Sequence, residues 1–198
     1  MHYERYETTQ GESALVYEFV SQGLNVKKIV IFSPTSLPNL FNLGFGDKDV
    51  STGDFDDIIV TNNGDSLKVL ATVASCADSF TKDFPKAMVV ATGSTRTRTR
   101  LYRMVISNNL ETIRLDFQVY GLLDDDWEVF LPNIDYQAFL VIRKKDCKMK
   151  KELERTSQPT IRKVDKSLDQ YLDKGLFKDK IEKIEHIIRT VGLPKFDK

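Results

Sequence analysis

The hydrophobic period of this chain changes at residues 62–65, and that change constrains its fold class more than any other feature. Upstream, residues 14–20 (Ala-Leu-Val-Tyr-Glu-Phe-Val) and 27–32 (Lys-Lys-Ile-Val-Ile-Phe) are β-branched and aromatic, as strands are. Residues 21–25 between them read as a hairpin loop. Residues 41–45 and 57–61 predict two further short strands. Downstream of the turn Asn62-Asn63-Gly64-Asp65, apolar residues recur at three- and four-residue steps: Leu67, Leu70, Val73, Ala74, Ala77 and Phe80. That spacing predicts a helix with one buried face, capped by Asp65 or Ser66 and ended near Phe84 by Pro85.

Residues 87–91 (Ala-Met-Val-Val-Ala) then predict a short buried strand, and residues 92–95 turn the chain into a second helix reaching about Asn109. Strands follow at residues 114–122, 127–131 and 136–143, the first two linked by the acidic turn Asp124-Asp125-Asp126. Lys and Arg accumulate after residue 143, and residues 156–159 read as a linker. A last helix carries a narrow stripe of Ile181, Ile184, Ile187, Ile188 and Val191, closed by Gly192 and Pro194. That stripe needs a surface to dock on, either the domain itself or a partner subunit. The expected architecture is α+β: a mixed, mostly antiparallel β-sheet with two packed helices and a C-terminal helical extension. The 198 residues suit one core domain over 1–145, with a basic linker and helical extension over 146–198.

Formal net charge is zero, but its distribution is uneven. Residues 1–90 hold 7 Lys and Arg against 12 Asp and Glu, whereas residues 143–198 hold 17 against 10. Such asymmetry suits either a nucleic-acid-facing end or a solvated helical tail. Two cysteines, Cys76 in the helical pattern and Cys147 in a lysine run, make no disulfide framework and no metal-ligand spacing. The residues after Met1 lack a signal-peptide core, and no stretch approaches the roughly 20 apolar residues that cross a bilayer. The cytoplasm is the expected location, with no membrane partner.

The candidate site is the start of the second helix, Ser94-Thr95-Arg96-Thr97-Arg98-Thr99-Arg100. Helix starts expose unpartnered amides and the positive end of the macrodipole, so they receive anions. Ser94 and Thr95 add hydroxyls, and a helical projection places Arg96, Arg100 and Arg103 on one side. Arg98 projects nearer the apolar side and needs a carboxylate or ligand. Four arginines work against the dipole, which points to an external anion: a phosphate, a nucleic-acid backbone or an acidic partner. The bland alternative pairs them internally, for instance with Asp54, Asp56 or Asp57. The alternating Thr-Arg pattern also fits a hairpin arm, but the cap and the following Leu-Tyr-Arg-Met-Val-Ile favour the helix.

Other chemistry is poorly supported. The acidic loop from Asp47 fails the calcium-loop pattern, with Thr52 where a glycine is needed and Ile58 where a glutamate is needed. His2 and His186 stand apart from any nucleophile, and no phosphate-loop, dinucleotide or nucleophile-elbow motif is present. No metal and no cofactor is expected. The lysine-rich run over residues 143–163 reads as a solvated connector, with tracking of phosphates as the alternative.

Several segments together are familiar: Tyr17-Glu18-Phe19-Val20-Ser21, Asn42-Leu43-Gly44-Phe45-Gly46-Asp47, Asp57 with Asn63-Gly64-Asp65, Lys68-Val69-Leu70-Ala71-Thr72-Val73, and Gly93-Ser94-Thr95 with Arg98-Thr99-Arg100-Leu101-Tyr102. With these the chain resembles a roughly 150-residue bacterial family, mainly from Bacteroidetes, whose domain has no assigned function, so no chemistry is carried over. The resemblance covers about residues 3–145 and implies a bacterial, cytosolic protein. The expected function is a binding module whose Arg96, Arg98, Arg100 and Arg103 engage a phosphate-bearing ligand or nucleic acid, in a toxin–antitoxin or phage-defence setting. The alternatives are a protein-interaction module, docking a partner or second copy through the last helix, and a metal-independent nuclease using the same arginines.

Overall fold

A computed structural model describes residues 4–22, 25–48, 55–56, 64–144 and 161–196. In chain order the strands are β1 (Thr8–Gln10), β2 (Val16–Ser21), β3 (Val26–Pro34), β4 (Leu40–Lys48), β5 (Phe55–Asp56), β6 (Met88–Ala91), β7 (Phe117–Leu123), β8 (Asp126–Val129), β9 (Ala138–Arg143) and β10 (Ile161–Val164). The helices are α1 (Ser66–Asp83), α2 (Arg96–Asn108), α3 (Leu110–Asp116) and α4 (Lys178–Val191), with a 3-10 segment at Lys166–Tyr171. One mixed sheet runs in the order β10-β1-β2-β3-β4-β6-β9-β7-β8, with β5 paired to β4. Its parallel neighbours are β1 with β10 and β4 with β6; the other pairs are antiparallel. The α+β architecture expected from the change of period is therefore the one found.

The sheet is covered on both faces, because its central strands are apolar on both. In β3, every residue from Lys28 to Ser33 is buried. Val30 and Phe32 join Tyr17, Phe19 and Val89 against α1. There Phe32 stacks on Phe80 at 4.1 Å between ring centroids, and Phe41 meets Phe80 edge-on at 5.0 Å. Ile29 and Ile31 point the opposite way, onto Leu168 and Tyr171 of the 3-10 segment. On that second face α4 seats Ile184 and Ile188 against Leu40, Val90, Tyr120 and Leu140. The stripe of the last helix thus docks on its own domain. Trp127 Nε1 donates to the Gly192 carbonyl at 3.0 Å, which ties down the end of α4. Phe177, in a left-handed conformation (φ 65°) ahead of α4, lies over Gly44, where any Cβ would overlap its ring.

Three local expectations need correction. Asp65 makes no cap bond to α1; its carboxylate instead accepts from the hydroxyls of Tyr6 (2.8 Å) and Ser21 (2.5 Å). Tertiary hydroxyl partners have displaced the local cap. Residues 114–116 are helical rather than extended, since Leu110 and Ile113 continue a helical stripe into the cluster around Phe130, Tyr136 and Phe139. Arg143 is no free phosphate contact: its guanidinium lies over Phe117 (4.5 Å), pairs with Asp78 and donates to Thr81 Oγ1 at 3.0 Å. The strand expected at residues 57–61, the run 145–155, the linker 156–159, Cys147 and His2 lie outside the described residues. Cys76 is buried, and that burial pushes its thiol pKa up. Among the described residues no helix is long and apolar enough to cross a membrane.

Removing the ring that links α1 to the sheet, by Phe80→Ala, is expected to cost about 3–5 kcal/mol. Gly44→Ala, which forces Phe177 out of place, should cost about 1–3 kcal/mol by overpacking. Urea unfolding followed by far-ultraviolet circular dichroism measures both. A Gly44→Ala protein as stable as wild type would show that Phe177 is not seated on the strand.

Candidate functional site: the arginine helix start and the adjoining apolar pocket

The basic segment is helical, which settles it against the hairpin arm. Strand β6 ends at Ala91, and Thr92 and Gly93 carry the buried chain toward the surface. Gly93 is required by a close approach: a Cβ there would overlap the backbone nitrogen and hydroxyl of Thr99. Thr95 is extended (φ −130°, ψ 159°), and its side-chain oxygen accepts from the Arg98 amide at 3.3 Å, an N-cap of ordinary geometry. No acidic residue occupies the first turn of α2.

The four arginines then diverge in role. Arg96 donates to Asp135 Oδ2 at 3.2 Å, and Arg103 donates to Asp135 Oδ1 at 2.6 Å and to the Ile134 carbonyl at 2.9 Å. Two guanidinium groups, two turns apart on one side of the helix, therefore share a single carboxylate. The Arg103 side chain is 19% exposed, that of Arg96 91% and that of Asp135 59%, so only one arm of the clasp is shielded from water. Arg98 is half-buried and donates to Ser94 Oγ at 3.3 Å. Arg100 is exposed and makes no hydrogen bond or ion pair with any described residue. Asp54 and Asp57, suggested as partners, lie outside the described residues, and of Asp56 only the backbone is described. The acid found on the arginines is Asp135, which no local pattern marked.

Asp135 is positioned by its neighbour. Tyr136 is buried among Phe130 and Phe139, with its ring over Gly121. Its hydroxyl donates to Glu128 Oε1 at 2.6 Å and accepts from the Leu131 amide at 3.1 Å. Burial foremost, then the hydrogen bond to Glu128, pushes the Tyr136 hydroxyl up to about 12.

The inner side of α2 meets a second feature. Tyr102, Val105 and Ile106 form one wall of an apolar pocket of about 210 Å³, open on one side, whose opposite wall is α1 and whose floor is the sheet. The pocket exists because the first sheet face is roofed by α1 and by α2–α3, with a gap between them. Sequence patterning located the apolar faces of both helices but could not place them apart. Asp47 of the acidic loop is bonded to the buried Lys28. Among the described residues no group of three or more His, Cys, Asp or Glu side chains is placed to hold a metal.

Residues 2–144 match the model of a family of unknown function, DUF6934. The chain belongs to that family. The matched stretch contains β1–β9, α1–α3, the arginine helix start and the whole pocket lining, and it stops before β10 and α4. Nothing among the curated proteins and nothing among the solved structures matches this member of the family.

Tyr136 stabilises the fold through its protonated form, so the sign of its pH dependence is fixed. The folded value, about 12, lies above the ordinary 10.0; its contribution is whole below pH 10 and is lost as pH rises through 12. Thermal melts across that window should fall for wild type and fall less for Tyr136→Phe. Equal slopes for the two proteins would remove Tyr136 as a source of the alkaline loss.

Proposed function

We propose that this chain is a binding module in which the start of α2 contacts a phosphate-bearing ligand, with nucleic acid as the polymeric case. The observation carrying this reading is the two-arginine clasp on Asp135. Guanidinium forks suit carboxylate and phosphate oxygens alike, and here two of them converge on one oxyanion. The exposed Arg96 arm is worth only about 0–1 kcal/mol, so a phosphate of higher charge can compete with Asp135 there. Arg100, exposed and unpaired among the described residues, stands one turn from Arg96 to receive it. Arg98, Ser94 and Thr95 complete the proposed contact set.

The same pairing favours a second reading, a protein-interaction module in which the arginines serve to hold α2 on the loop before β9. Fluorescence anisotropy with mixed-sequence oligonucleotides at two salt concentrations separates them. Under the first reading wild type binds at low salt, and Arg96→Ala/Arg100→Ala weakens binding by about tenfold or more. Asp135→Asn strengthens it, because the clasp is vacated. Absence of binding at low salt, with all three proteins alike, would leave the interaction module as the better account. Turnover of RNA without added metal, abolished in the double variant, would assign a nuclease instead.

A further inference from the structure

We infer that the pocket between α1 and α2–α3 is a binding site for a small hydrophobic amine: a ring or branched alkyl body carrying one protonated nitrogen. This goes beyond the anion reading and shares none of its contact residues. The body is argued from volume and lining. An apolar cavity of about 150 Å³ stays dry and takes benzene, whereas drug-sized ligands occupy about 300–1,000 Å³. At about 210 Å³ this pocket holds a fused ring pair or its equivalent. Its walls include Leu70, Ala74, Tyr102, Ile106, Phe139 and Val141, and the lining is mostly apolar.

The amine is argued from the polar groups at the margin. Asp78 is already paired with Arg143 and with Lys82, the latter at 3.0 Å. Thr81 donates to the Ala77 carbonyl at 2.7 Å and accepts from Arg143. Ser75 accepts from Arg5 at 3.5 Å. Two groups are left over, Thr112 and Asp116, one turn apart on α3. Both are half-buried, and neither side chain has a hydrogen bond or ion pair with any described residue. The nearby Lys144 is engaged elsewhere, its Nζ on the Arg114 carbonyl at 2.5 Å. A half-buried carboxylate and a hydroxyl beside an apolar hollow are complementary to an ammonium group, which offers three donors and a positive charge.

The test compares three probes of one shape, 1-naphthylmethylamine, 1-naphthylmethanol and 1-naphthoate, by calorimetry on the full chain. The amine should bind tightest. Asp116→Asn should weaken the amine by about tenfold, the loss of one charge-assisted hydrogen bond, and leave the alcohol unchanged. Ala74→Phe, which fills the hollow from α1, should abolish binding of every probe without lowering the melting temperature. The inference is overturned if no probe binds, if naphthoate binds as well as the amine, if Asp116→Asn affects amine and alcohol alike, or if Ala74→Phe binds as wild type does. Since Arg96 and Arg100 are untouched by these variants, oligonucleotide binding reports on the anion reading separately.

Discussion

Everything in this fold follows from a sheet whose middle strands are apolar on both sides. Ile29 and Ile31 face one way, Val30 and Phe32 the other, and none of the four is exposed. A sheet of that kind is stable only between two layers. On one side the stack of Phe32 on Phe80 fixes α1. On the other, the cover comes from residues that follow the family-matched segment. Because the first layer is built from two separate helical units, its roof has a seam. The pocket is that seam, and the arginine helix forms one side of it.

The arginine helix also shows how tertiary structure supplies what local sequence withholds. Helices are ordinarily helped by an acid in the first turn, opposite the partial positive charge of the exposed amides. Helix α2 has none there and carries cations instead. The missing negative charge is delivered across space by Asp135, whose loop is fixed by the buried hydroxyl and ring of Tyr136. Arg96 and Arg103 thus find their counter-charge only in the folded chain.

Legibility in the sequence followed the range of the forces involved. Strands β2, β3, β4 and β6 and helices α1, α2 and α4 were readable because period and β-branching act within a few residues. That Arg96, Arg100 and Arg103 share one side of the helix is likewise a matter of helical pitch, although only Arg96 and Arg103 reach the same carboxylate. The identity of that carboxylate was not readable, since Asp135 lies 32 residues from Arg103 and nothing in its own surroundings marks it. Strands β1 and β10 were missed because strands of three and four residues leave almost no pattern. The helix at residues 110–116 was missed because Leu110, Ile113 and Leu115 satisfy a strand as readily as a helix. The unclaimed Thr112 and Asp116 become visible only once the partners of every neighbouring polar group are known.

The parallel pairing of β1 with β10 sets Thr8 opposite Ile161. No local contact can prepare that pairing, since most of the chain must close as a loop before it forms. During synthesis the first strand emerges long before β10 exists, leaving that side of β1 without its partner strand in the meantime. Contacts of such separation are the slow ones in folding. The topology therefore separates near from far: β2, β3, β4 and α1 meet through neighbouring stretches of sequence, whereas β10 fastens onto β1 across more than 150 residues.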